Sequence, residues 1–99
     1  MIDLNYAFNA DGILLPQRIQ KCHLAFFYGR HPRSFRRELE KFIYISDGWY
    51  YTKQECTKIF AQFGEISAAE VEAAKPRIAE YFKSQRQRLR ERYILNNNK

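Results

Sequence analysis

The stretch Phe26-Phe27-Tyr28-Gly29-Arg30-His31-Pro32-Arg33-Ser34-Phe35-Arg36-Arg37 joins two runs of helical periodicity. Ahead of it, from about Pro16, the apolar residues Leu15, Ile19, Cys22 and Phe26 recur at three- and four-residue spacing with Arg18 and Lys21 between them. That is the pattern of an amphipathic helix with proline in its first turn. Gly29 suits a left-handed cap and Pro32 cannot continue a helix interior, so the first helix is expected to stop at 29–32. A second helix is expected to start near Ser34 as its N-cap, with Phe35, Leu39 and Phe42 on one face and Arg36 and Arg37 on another. Two helices across so short a turn resemble a helix-turn-helix.

Toward the C-terminus, Phe42-Ile43-Tyr44-Ile45 and Trp49-Tyr50-Tyr51 flank Ser46-Asp47-Gly48, and Asp-Gly between such runs predicts a two-stranded wing. Thr52-Lys53-Gln54-Glu55 is a capping box that opens a third helix, which runs through Ile59, Phe60 and Phe63 to a cap at Gly64, with Ile66 folding back. A second capping box, Ser67-Ala68-Ala69-Glu70, opens the last helical region, whose stripe is Val71, Ala74, Ile78, Phe82, Leu89 and Tyr93. Pro76 predicts a kink there, or a split into helices at 68–74 and 76–94. Before the first helix, Ile2, Leu4, Tyr6 and Phe8 alternate with polar residues, the signature of an extended arm, and Asn9-Ala10-Asp11-Gly12 reads as a turn.

With 99 residues, 45% of them hydrophobic and 16% aromatic, the chain has the length of one domain and the composition of a folded core. The expected core is Phe26, Phe35, Leu39, Phe42, Trp49, Ile59, Phe63, Ile78 and Phe82. One domain over 1–95 with a frayed tail at 96–99 is expected. No apolar run is long enough to cross a bilayer and the N-terminus lacks a secretory pattern, so the expectation is a cytoplasmic protein without a membrane partner. The formal charge of +6 is the balance of two basic segments, +6 and +4, against −4 over the rest of the chain. Residues 13–37 hold Arg18, Lys21, Arg30, Arg33, Arg36 and Arg37 and no acid, while residues 80–99 hold six bases against Glu80 and Glu91. If the fold joins these segments, their combined patch has the electrostatics of a polyanion site.

Signs of catalysis are sparse. Cys22 and His23 are neighbours in sequence and diverge on a helix, which suggests a core thiol beside a surface imidazole and not a nucleophile with its base. Cys22 and Cys56 lack disulfide or zinc spacing, and no carboxylate pair or glycine-rich phosphate loop is present, so no metal, cofactor or enzyme activity is expected. The nucleic-acid candidates are Arg30, His31, Arg33, Arg36 and Arg37 of the helix pair, together with Lys83, Arg86 and Arg90 of the last helix. The alternating arginines 86, 88, 90 and 92 spread around a helix and do not line one face. The aromatics Tyr44, Trp49, Tyr50 and Tyr51 admit three readings: core plug, base-stacking platform, or hot spot for a protein partner, with Tyr44 or Tyr50 the one left outside the core. The last helix also offers a homodimer contact through Ile78, Phe82, Leu89 and Tyr93.

The run Phe42 to Trp49, followed by Lys53, Glu55, Cys56 and Ile59, resembles the end of the N-terminal domain of YdaU-like prophage proteins, which pass from a strand through Asp-Gly-x-Trp into a helix with a basic residue and a cysteine. Tyr6-x-Phe8 and Phe26-Phe27-Tyr28 ahead of Pro32 extend the likeness over residues 4–62. The interval between Pro32 and Phe42 is shorter than in that family, and its usual extra helix is missing. The resemblance implies a winged-helix-like module, phage or prophage encoded, associated with DNA replication, and it carries over no catalytic residue.

The sequence is therefore read as an α+β domain, mostly α: a winged-helix-like helix pair, a small β-hairpin and a long basic C-terminal helix. The function expected of it is that of a non-enzymatic accessory or regulatory protein binding duplex DNA. The alternative is a small phage-type protein that inhibits or recruits another protein, using its aromatic hairpin and basic helices on an acidic surface.

Overall fold

A computed structural model describes residues 4–97, with side chains through residue 88. It is a mostly helical α+β fold in the order β1 (Ile19–Gln20), α1 (Lys21–Phe27), α2 (Pro32–Leu39), β2 (Tyr50–Tyr51), α3 (Lys53–Phe63) and α4 (Ala68–Asn97). The α+β, mostly helical class expected from the sequence is the one observed. Ile2 of the arm, the end of the tail at 98–99, and the side chains of Leu89, Arg90 and Tyr93 lie outside the described residues.

The first helix is shorter than its periodicity predicts. Gln17 donates its side-chain amide to the Ala7 carbonyl at 2.9 Å and accepts from the Ala7 amide at 3.0 Å, which holds the N-terminal arm as a strand partner would. Ile19 and Gln20 then pair antiparallel with Tyr51 and Tyr50. With both segments engaged in extended contacts, helix formation is deferred to Lys21. The arm itself is not a regular strand; Phe8 forms one antiparallel bridge to Leu14.

Gly29 takes φ +70°, the left-handed conformation a β-carbon disfavours, and lets the chain turn between α1 and α2. The second helix begins earlier than Ser34. Its N-cap is His31, whose Nδ1 accepts from the Arg33 amide at 3.2 Å, with Pro32 in the first turn.

The expected wing does not form from 42–45 and 49–51. Ser46, between them, has its backbone engaged elsewhere: its amide donates to a Glu55 carboxylate oxygen at 2.8 Å, and its carbonyl accepts from Lys21 Nζ at 2.6 Å. The Trp49 carbonyl accepts from the Lys21 amide. The antiparallel partner of Tyr50–Tyr51 is therefore β1, distant in sequence, and 42–45 is an irregular loop that buries Ile45 in the core and leaves Phe42 and Tyr44 exposed.

Both capping boxes are present. Thr52 accepts from the Glu55 amide while the Glu55 carboxylate accepts from the Thr52 amide, and Ser67 and Glu70 repeat the exchange. Gly64 ends α3 at φ +104° and Ile66 is buried behind it. α4 continues through Pro76 as one helix, so the split into two does not occur. Pro76 is exposed, on the outer side of a helix whose Val71, Ala74 and Ile78 face the core.

The core joins Leu14, Ile19, Leu24, Phe35, Leu39, Tyr51, Ile59, Ile66 and Ile78, with Phe26, Phe63 and Phe82 packed partly against it. Two expected members are outside: Phe42 is 56% and Trp49 81% exposed. Tyr51 takes the opposite role from the interaction surface expected of it, being 1% exposed. Ile78 is fully buried within the chain's own core and is not presented to a second copy, while Phe82 is half-buried, 6.0 Å from the His23 ring. His23 is half-buried, not a surface imidazole, and its Nδ1 is hydrogen-bonded to the Tyr6 hydroxyl at 2.7 Å. That hydroxyl oxygen in turn accepts from the Gln20 amide at 3.2 Å.

Candidate nucleic-acid interface

The side chains at 77, 81, 84, 85 and 88 recur at intervals of three and four along α4, which at about 100° per residue places them on one face. This face meets the turn between α1 and α2 and leaves a groove of about 470 Å³. His31 and Arg33 line it from α2, Arg77 and Arg88 from α4. A β-carbon on Gly29 would sit 3.6 Å from Arg77 Nη1, so the guanidinium packs directly on the turn.

Aromatic contacts fix this junction. The Tyr81 ring lies 5.3 Å from Phe26, 5.8 Å from His31 and 5.8 Å from Phe82, each edge-on or steeply inclined. Such pairs add to burial and hold ring geometry. Phe26 and Tyr81 thus supply an apolar wall, Ser84 and Gln85 offer neutral hydrogen-bonding groups, and Glu80 supplies the only carboxylate of the lining among the described residues. Among the described residues Arg33, Arg77 and Arg88 form no ion pair, so three guanidinium groups face one carboxylate. The cleft walls confine and focus that positive field.

The other candidates divide. Arg30 is ion-paired with Glu38 and lies over the Phe63 ring, its carbon 5.7 Å from the centroid. Arg36 pairs with Glu40 at 2.9 Å and lies within electrostatic reach of Lys21 and Tyr51. Arg37 is exposed one turn beyond Arg33 on the same row of α2. Lys83 and Arg86 are exposed but fall on other faces of α4 than the groove, and the Arg90 side chain lies outside the described residues. Of the candidates read from the sequence, the groove brings together His31 and Arg33. Arg77 was not among them, and Arg88 only as one of the bases of the 83–92 segment; the signal available was the 77-81-84-85-88 periodicity, which runs beside the apolar stripe of the same helix.

The thiols are not poised for chemistry. Burial pushes Cys22 up and Cys56 up to about 11, which keeps both in the unreactive thiol form. Among the described residues no three His, Cys, Asp or Glu side chains gather as metal ligands would, and no helix is long and apolar enough to cross a membrane. What the groove can do is bind: it offers fixed cations, an aromatic wall and amide and hydroxyl groups to an anionic ligand.

The class defined by these features is a small, mostly helical α+β domain carrying a basic interhelical groove. Compared with protein-family models, with curated proteins and with solved structures, the chain has no match.

Proposed function

We propose that this is a non-enzymatic accessory or regulatory protein that binds duplex DNA through the groove between α2 and α4. The observation that carries the reading is the convergence of Arg33, Arg77 and Arg88, from segments far apart in the chain, on one cleft without ion-pair partners among the described residues. Guanidinium groups pair with phosphate oxygens in a bidentate manner, and Arg37 extends the row along α2. The helix pair α1–α2 is the winged-helix-like part of the proposal, and the likeness to YdaU-like prophage domains adds a phage-encoded, replication-associated role in the cytoplasm.

The test is a salt titration of binding to a duplex of about 20 base pairs. Each phosphate contact contributes a slope of about 0.9 in log affinity against log salt, so the triple variant Arg33→Ala, Arg77→Ala, Arg88→Ala should bind more weakly and lower the slope by about 2.7. The double variant Arg30→Ala, Arg36→Ala removes guanidinium groups already matched by carboxylates and should change the slope by less than about 1. Equal slopes for the parent and the triple variant would refute the groove.

A second reading, a protein partner, is favoured by a specific feature: Phe42 and Tyr44, the latter 86% exposed, stand on the irregular loop before Ser46. Exposed aromatics of this kind anchor protein interfaces. Alanine at both positions distinguishes this reading, because it would abolish a protein complex and leave the salt slope on DNA intact.

A further inference from the structure

The backbone on both sides of Trp49 is held fast. Ser46 is clamped by Lys21 and Glu55, the Trp49 carbonyl is bonded to the Lys21 amide at 2.8 Å, and Tyr50 and Tyr51 are paired into the ribbon. The indole on this fixed frame is nevertheless among the most exposed large side chains described. It borders a cleft of about 350 Å³ lined also by Arg18, Asp47, Tyr50, Thr52 and Lys53. The Arg18 guanidinium carbon stands 3.9 Å from the Tyr50 ring centroid, stacked on its face.

From this cleft we propose that the protein has a second nucleic-acid contact, in which an unpaired base stacks on Trp49 while Arg18 and Lys53 hold the adjoining phosphates. The inference deepens the nucleic-acid reading above, and rests on it only for the class of ligand, since it uses none of the groove residues. An exposed aromatic plane beside cations matches a ligand that is itself flat and anionic. A duplex keeps its bases stacked and pairs their edges, so the ligand is a single strand. Asp47 adds an acceptor for a base N–H, such as N3–H of thymine. A protein hot spot is the rival, but lysine and aspartate are depleted at the centres of such sites, whereas this cleft sets Lys53 and Asp47 beside its aromatic residues.

Trp49 is the one tryptophan of the chain, so intrinsic emission reads this cleft directly. The experiment titrates the full chain with an oligothymidylate of about 20 nucleotides, and separately with a duplex of similar length. Quenching of the tryptophan emission by the single strand is expected. Trp49→Ala should weaken single-strand affinity about tenfold or more, and Trp49→Phe, which keeps an aromatic face, should restore most of it. Because the side chain is exposed, both variants should melt with the parent. Duplex affinity should respond to the groove triple variant and not to Trp49→Ala. Quenching by single strand without duplex binding would sustain this inference and sink the groove reading. Unchanged emission at every oligonucleotide concentration, as a cleft built for a protein would give, or equal single-strand affinity for parent and Trp49→Ala, would overturn it.

Discussion

Tyr51→Ala is expected to destabilise the protein by about 3–5 kcal/mol, the range found when a buried aromatic ring is truncated and its cavity persists. Tyr51 is packed with its ring centroid 6.4 Å from that of Phe35, with the Lys21 ammonium 5.6 Å from its face, and its backbone pairs with Ile19. Removing the ring therefore hollows the place where α2, the ribbon and the start of α1 meet. Since small domains are stable by about 5–15 kcal/mol in all, the loss is a large fraction of the total. Tyr51→Phe keeps the ring and should cost about 1 kcal/mol or less. Denaturant midpoints measured at unchanged m-value would check both figures. A Tyr51→Ala variant as stable as its parent would mean that the ring is not part of the core.

Acid should weaken the fold in two stages. His23 is held below its ordinary 6.5 by burial, with its Nδ1 hydrogen-bonded to the Tyr6 hydroxyl. The unfolded chain therefore takes up the proton first, and stability falls as pH drops from about 6.5 toward the folded value. At Glu55 burial acts to raise the pKa, but hydrogen bonds from the Ser46 and Thr52 amides and the Ser46 hydroxyl outweigh it and hold the carboxyl below 4.5. Its contribution is complete at neutral pH and is lost as pH falls below about 4.5 toward the folded value. Glu55→Gln should cost about 3 kcal/mol or more at pH 7, because the bond it keeps becomes neutral and one backbone amide, of Ser46 or Thr52, is left facing an NH2 group that cannot accept, and it should flatten the lower stage. His23→Gln should flatten the upper one. A midpoint profile in which Glu55→Gln keeps its acid limb would refute the assignment.

These two residues also mark where the sequence was readable. The Thr52–Glu55 box follows from spacing, since its partners are three residues apart, and the same holds for Ser67–Glu70 and for the ends at Gly29 and Gly64. What spacing did not convey is that the Glu55 carboxylate also binds Ser46. With Lys21 on the Ser46 carbonyl, that contact overrides a strong Asp-Gly hairpin signal and leaves Trp49 outside the core. The aromatic run at 49–51 after Asp47-Gly48 marks extended chain at Tyr50 and Tyr51, but its partner, Ile19–Gln20, lies inside a helical periodicity and is hidden by it. A two-residue pairing across most of the first half of the chain leaves almost no local trace.

The candidate site was half legible for a related reason. Net charge identified two basic segments, and His31 and Arg33 were read from the first. Arg77 lay in a stretch of mixed charge and Arg88 in a run of alternating arginines, so neither stood out. Their selection depends on helical phase relative to Phe26 and Tyr81, which only packing against α1 fixes.

Because Ile19 is joined to Tyr51, the ribbon acts as a clasp that closes α1, α2 and the loop before β2 into a single ring of chain. Closing so long a segment costs entropy that two residues of ladder hydrogen bonding repay only with help from the surrounding core. Opening the clasp would release the whole ring together, so the protected amides of α1 and α2 should exchange with solvent deuterium as one cooperative unit.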